Sequence, residues 1–172
     1  MSVEKRALPR WRIWVERGAW ALLAAAIYFG VRFYQQRTLI EGPAPALQAT
    51  LLDGQAMDLT GLRSQPVLVY FWATWCPVCR LEQGSIESVA NDYRVVAVAM
   101  QSGSPAEVAS YVHEHRLRVP VINDPGGAIS AAWGVRATPT SFIIDRHGQI
   151  RFREVGYTSE IGLRLRLWWA GQ

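Results

Sequence analysis

Residues 67–79 read VLVYFWATWCPVC: a six-residue apolar run, a short turn and two cysteines three positions apart. No other stretch narrows the possible folds as much. Val67–Trp72 is rich in β-branched and aromatic residues and is bounded by Pro66, which predicts a central strand buried on both faces. Pro77 directly after Cys76 fits the first position of a helix, where a missing N–H costs no hydrogen bond. The segment therefore predicts strand, turn and helix, with the helix over Pro77–Ala90 and the cysteines at its start.

Cys76 and Cys79 are the chain's two cysteines. A Cys-x-x-Cys that opens a helix after a strand is a redox signal. At the helix start Cys76 meets unpaired N–H groups and the positive end of the macrodipole, both of which favour thiolate over thiol. Cys79 follows one turn later, within reach of a mixed disulfide on Cys76. A passive staple is the poorer reading, because a bridge across so short a loop removes little chain entropy. Zinc needs four ligands, and His113, His115 and His147 stand at no usual spacing from the pair. His113 and His115 read as solvated helix residues, and His147 as a turn residue.

The rest of the body alternates strands and helices. Leu47–Leu51 and Ala56–Leu59 flank Asp53-Gly54, a hairpin signal. Arg94–Met100 reads as a second buried strand, and Ser104-Pro105 opens a helix to about His115. Val119–Ile122 is a short strand and Asp124–Trp133 a short helix capped by Gly134. Thr140–Asp145 and Gln149–Val155 pair around Arg146-His147-Gly148. Ser159–Ala170 closes the chain as a helix with Ile161, Leu165, Trp168 and Trp169 on one face. This order predicts an α/β fold, a mixed central sheet flanked by helices, preceded by a β-hairpin.

Charge is uneven. Residues 1–37 hold seven basic and two acidic residues, whereas residues 38–172 hold eleven Arg against twelve acidic residues. The near-neutral body argues against nucleic acid as a partner. Gly18–Val31 carries no charge; as a helix it is about 21 Å long, against ~30 Å of hydrocarbon. Extension to Tyr34 takes in Arg32, whose side chain can snorkel. Trp11, Trp14 and Trp20 near one end, and Tyr28, Phe33 and Tyr34 near the other, resemble interfacial belts. The expected organisation is a basic cytoplasmic segment at 1–17, a single transmembrane anchor at 18–34, a linker at 35–45 and a folded domain at 46–172 outside the cytoplasm. Ala44-Pro45-Ala46 lies too far beyond the apolar run to serve as a signal-peptide cleavage site.

Two motifs, Val67–Cys79 and Gly134–Asp145 (GVRATPTSFIID), occur in an order that resembles the thioredoxin-like fold. More narrowly the chain resembles the membrane-anchored TlpA-like protein disulfide oxidoreductases, nearest the suppressor-of-copper-sensitivity D type. The resemblance covers about residues 43–170. It implies a periplasmic domain on the inner membrane, a redox-active disulfide in place of any cofactor, protein thiol or disulfide substrates, and a membrane electron-transfer partner. It also implies that Pro139 in Thr138-Pro139-Thr140 is cis and packs beside the cysteines, with Thr138 offering backbone groups to an extended substrate. The residues alone favour an ordinary trans proline opening a strand. Trp75 and Pro77 would border the substrate, and Trp72 would be core. Glu82, one turn after Cys79, matches an acid that tunes the buried cysteine; the plainer reading is a solvated glutamate near a helix start. Thioredoxin itself carries a buried acid in the preceding strand, where this chain has Tyr70. Proton handling then falls to Glu82, to water or to no dedicated group.

The function expected is disulfide exchange on protein substrates outside the cytoplasm, Cys76 as nucleophile and Cys79 as resolving cysteine, run as a reductase. Pro77-Val78 does not fix the direction of electron flow. The alternatives are a copper-handling protein using the pair as ligands, whose usual spacing is one residue longer, a thiol peroxidase, which needs an activating Thr and Arg, and a scaffold with a fixed disulfide.

Overall fold

The computed structural model describes residues 10–62 and 64–172, and for 10–15, 28–29 and 32–36 the backbone alone. Two compact units are present, Met1–Arg37 and Thr38–Gln172.

In the first unit, α1 runs as one helix over Arg10–Gln36. At 27 residues it is about 40 Å long. In its uncharged run, Trp20, Leu22, Leu23, Ile27 and Val31 are exposed. Among the described residues, no helix is long and apolar enough to cross a membrane. The segment before residue 10, and the side chains of Trp11, Trp14, Tyr28, Phe33 and Tyr34, lie outside the described residues.

In the second unit, short strands β1 (Gly42–Pro43), β2 (Gln48–Thr50) and β3 (Ala56–Asp58) precede a 3-10 turn at Leu59–Leu62. Then follow β4 (Val67–Trp72), α2 (Pro77–Val89), β5 (Arg94–Met100), α3 (Pro105–Glu114), β6 (Val121–Asp124), α4 (Ala128–Ala132), β7 (Thr140–Ile144), β8 (Gln149–Val155) and α5 (Glu160–Ala170). The main sheet has the order β1-β8-β7-β4-β5-β6, and β2 and β3 form a separate hairpin. Central β4 runs parallel to β5 and antiparallel to β7. All six of its residues are buried, as a strand covered on both faces requires.

The alternation of β4 divides the core. Leu68, Tyr70 and Trp72 join Cys79, Ile86, Val108, Leu163 and Leu167 on the side of α2, α3 and α5. Val67, Val69 and Phe71 join Leu39, Leu47, Leu59, Trp133 and Phe142 on the other. Several details differ from expectation. Gly42–Pro43, within the stretch expected to be linker, pairs with Ile150 and Gln149 and edges the sheet. Strand β6 begins at Val121, two residues late, because Pro120 has no N–H for the ladder. The α5 stripe of Ile161, Leu165, Trp168 and Trp169 does share one face, but that face is exposed, and the helix packs through Leu163, Leu167 and Ala170.

Gly134 joins the α4 end to the N-terminal part of this unit. Its φ is +69°, and a Cβ there would overlap the Thr38 carbonyl oxygen. Thr38 Oγ1 donates in turn to the Gly134 carbonyl at 3.1 Å. The expected C-terminal glycine of the short helix therefore serves both a left-handed turn and a close backbone approach.

Candidate active site

The C-terminal end of β4 delivers the chain into a tight turn, closed by Cys76 N–H to the Ala73 carbonyl at 3.2 Å. Cys76 is the N-cap of α2, and Pro77 opens the helix. The Cys79 N–H donates to Cys76 Sγ at 3.1 Å. A disulfide joins Cys76 to Cys79, their Cα atoms 5.3 Å apart. Cys79 is wholly buried while Cys76 keeps 3% of its surface exposed. Of the two sulfur-bearing residues, Cys76 alone keeps any exposed surface, and it alone caps the helix.

The second motif closes over the first. The Thr138–Pro139 peptide bond is cis, and the Thr138 carbonyl oxygen lies 3.5 Å from Cys76 Sγ. The loop is held from behind: Thr140 Oγ1 donates to the Ala137 carbonyl at 2.8 Å, and the Gly156 N–H to the Pro139 carbonyl at 2.8 Å. Trp75 is exposed, with its indole N–H donating to the Gln101 carbonyl at 3.0 Å. Thr74 N–H donates to Ser102 Oγ at 3.1 Å. Pro77 and Val78 are also exposed, and Trp72 is core.

Glu82 is not a solvated residue of the first turns. It is wholly buried, and its Oε1 accepts the Thr158 N–H at 3.0 Å. Burial pushes its carboxyl up to about 7; the Thr158 N–H and the Tyr70 hydroxyl pull the other way without offsetting it. Tyr70 is raised far above the ordinary phenol range, mainly by burial and then by the Glu82 charge. Cys79, Glu82 and Tyr70 thus lie on one buried side of the sheet. The residues alone did not disclose the Thr158 N–H, because it comes from a loop 76 positions away.

His113, His115 and His147 are exposed, as expected. Among the described residues, no group of three or more His, Cys, Asp or Glu could hold a metal ion. A cavity of about 300 Å³ lies around Glu87, Arg94, Arg118 and Pro120, at the far end of β5, and contains neither cysteine.

A disulfide at a helix start, faced by a cis-proline loop on a mixed sheet, defines a thioredoxin-like thiol–disulfide oxidoreductase. Residues 40–153 match the AhpC/TSA family, and the chain belongs to it. It is 36% identical over 121 residues to a thioredoxin-like protein of Haemophilus influenzae, covering 69% of this chain and 72% of that one. It is 29% identical over 149 residues to the thiol-disulfide oxidoreductase ResA of Halalkalibacterium halodurans, covering 82% and 85%. The crystal structure of a thiol:disulfide interchange protein of the thioredoxin family from Chlorobium tepidum superposes with a TM-score of 0.68 at 26% identity, covering 77% of this chain and 98% of that one.

Proposed function

We propose that the protein reduces disulfides in protein substrates outside the cytoplasm. The carrying observation is the placement of Cys76, a helix N-cap sulfur that accepts the Cys79 N–H and faces the carbonyl of Thr138. In the dithiol form the N–H and the helix dipole stabilise the Cys76 thiolate. The thiolate attacks a substrate disulfide, one substrate sulfur leaves, and Cys76 is joined to the other. Cys79 then attacks Cys76 Sγ, the mixed bond breaks, and the second sulfur leaves. Thr138 lends main-chain groups to an extended substrate beside Pro139, while Trp75 and Pro77 border it. Glu82 takes the proton of Cys79.

The domain is tethered through residues 18–34 to the inner membrane, with the basic N-terminus in the cytoplasm and the domain in the periplasm. The continuous α1 helix across this run and its basic N-terminal flank support the tether. A membrane electron donor re-reduces the pair, and the setting is the copper-stress role of the suppressor-of-copper-sensitivity D type. Carbonate extraction of membranes, on the full chain and on a chain lacking residues 1–37, tests the tether.

The reduction potential of the Cys76–Cys79 couple tests the chemistry. A value near about −270 mV supports a reductase, and one near about −120 mV makes the protein an oxidant. A pair that does not cycle ends the redox reading. Tight copper binding by the dithiol, or peroxide turnover, would replace it.

A further inference from the structure

Three buried polar atoms on the α2 side of the sheet lack a hydrogen-bond partner: Tyr70 Oη, Trp72 Nε1 and Glu82 Oε2. Such atoms are nearly always paired in native interiors, so a cluster of them calls for a reason. A phenylalanine at position 70 would fill almost the same volume without burying a hydroxyl. Tyr70 alternates with Leu68 and Trp72 along β4 and enters the same core cluster as Cys79. Glu82 is buried on the same face of α2 as Cys79, one turn beyond it, near enough to Tyr70 for each group to shift the titration of the other.

The groups around this carboxyl are few. The loop before α5 supplies the Thr158 N–H, already bound to Oε1. Strand β4 supplies Tyr70. Helix α3 supplies Tyr111, which acts on Tyr70 and whose hydroxyl accepts from Gln83 Nε2 at 3.1 Å. Helix α5 turns Leu163 and Leu167 inward, and its Arg164 is engaged by Asp92 and Glu160. Cys79 precedes Glu82 on its own helix. No charged side chain figures among the influences on Glu82. Of the two unpartnered donors on this side of the sheet, Tyr70 Oη and Trp72 Nε1, Tyr70 is the one that acts on the Glu82 carboxyl.

We propose that Tyr70 is a positioning residue for Glu82, its hydroxyl holding the carboxylate through Oε2 in the orientation from which Glu82 takes the Cys79 proton. The role rests on the exchange reading given above. In the resolving step the Cys79 thiol passes its proton to the Glu82 carboxylate as its sulfur bonds to Cys76 Sγ. The bond between Cys76 and the substrate breaks, and its electron pair leaves on the substrate sulfur. The substrate disulfide is the only oxidant needed. Tyr70, held far above the phenol range, stays a donor throughout and never competes for the proton.

The test uses the full chain loaded at Cys76 with a chromogenic aromatic thiol, and follows thiol release by stopped flow from pH 5 to pH 9. Wild type, Tyr70→Phe, Glu82→Gln and the double variant are compared. Loss of a donor to the carboxylate moves the rate inflection of Tyr70→Phe upward by about half a unit to one unit, and slows release below it about threefold to tenfold. Glu82→Gln loses the inflection, and adding Tyr70→Phe to it changes nothing further. A cycling wild type whose inflection Tyr70→Phe leaves unmoved overturns the role of Tyr70, as does an equal slowing by Tyr70→Phe in the Glu82→Gln background. A merely structural Tyr70 would give one of those two results, with lowered stability. A wild type that releases no thiol removes the exchange reading, and this role with it.

Discussion

The Thr158 N–H donates to Glu82 Oε1 across 3.0 Å, and it does so at a carboxyl with no exposed surface. One main-chain donor does not replace the water lost on burial, and the carboxyl stays raised, to about 7. In the unfolded chain a glutamate titrates near about 4.3. Between those values the native state holds a proton that the unfolded state has released. The stabilising effect of the protonated group is therefore complete below about pH 4, is lost as pH rises toward about 7, and stays lost above it. The loss amounts to about 4 kcal/mol. Glu82→Gln is neutral at every pH and can still accept the Thr158 N–H. Urea midpoints of the oxidised protein should nearly coincide for the two proteins at pH 4, and favour the variant at pH 8. A variant less stable than wild type at pH 8 would show that the buried carboxylate is better solvated than its surroundings imply.

Asymmetry between the two sulfurs leads to a second expectation. Cys76 reaches the surface and Cys79 does not. Cys79→Ser should therefore trap substrate on Cys76 as a lasting mixed disulfide, visible as an added mass that thiol reagents remove. Cys76→Ser should trap nothing and lose turnover by about a thousandfold or more, since Cys79 is shielded from substrate. Equal trapping by both variants would show that the buried sulfur opens to solvent.

Gly134 offers a test of fold rather than chemistry. At φ +69°, with the Thr38 carbonyl where a Cβ would go, alanine meets both an unfavourable backbone region and a steric overlap with main chain. Main chain cannot rotate aside as a side chain can. Gly134→Ala should cost about 2 kcal/mol or more in denaturant unfolding. Gly84, with nothing within 4 Å of its Cβ position and in the middle of α2, makes the control. There alanine should stabilise by about 0.5–1 kcal/mol.

The strands and helices were legible wherever a local pattern and its boundaries agreed. Val67–Trp72 and Arg94–Met100 are continuous β-rich runs, and the structure returns them unchanged. Ser104 and Pro105 announce α3, and the structure completes the capping box with Glu107, whose carboxyl the Ser104 groups hold below the usual range. What the residues alone left open was long-range. The cis bond at Pro139 had to come from resemblance, because a local reading favours trans. The burial of Glu82 depends on Thr158 and on the packing of α2 against β4 and α5. Asp124, expected to begin a helix, ends β6, and its carboxylate takes the Ile129 and Ser130 N–H groups from five and six residues away. Each of these involves partners that no short window contains.

Helix α5 shows the same limit most sharply, and it can be tested with one substitution at two sites. Ile161, Leu165, Trp168 and Trp169 form the more conspicuous apolar stripe, yet Leu165 is 61% exposed and Leu167 not at all. A short helix with apolar residues on two faces does not say which face meets the sheet; the neighbours decide. Here Ser88 in the last turn of α2 and Asp92 in the turn beyond it engage Arg164, which also pairs with Glu160, and Arg166 pairs with Glu154 of β8. Those contacts fix the rotation of α5 so that Leu163 and Leu167 enter the core. Leu167→Ala should therefore cost about 2–5 kcal/mol, as for other leucines cut out of packed interiors. Leu165→Ala removes the same atoms from an exposed site and should stay within about 0.5 kcal/mol of wild type. Chemical unfolding of the two variants separates the alternatives, because a helix turned the other way about its axis would reverse the order.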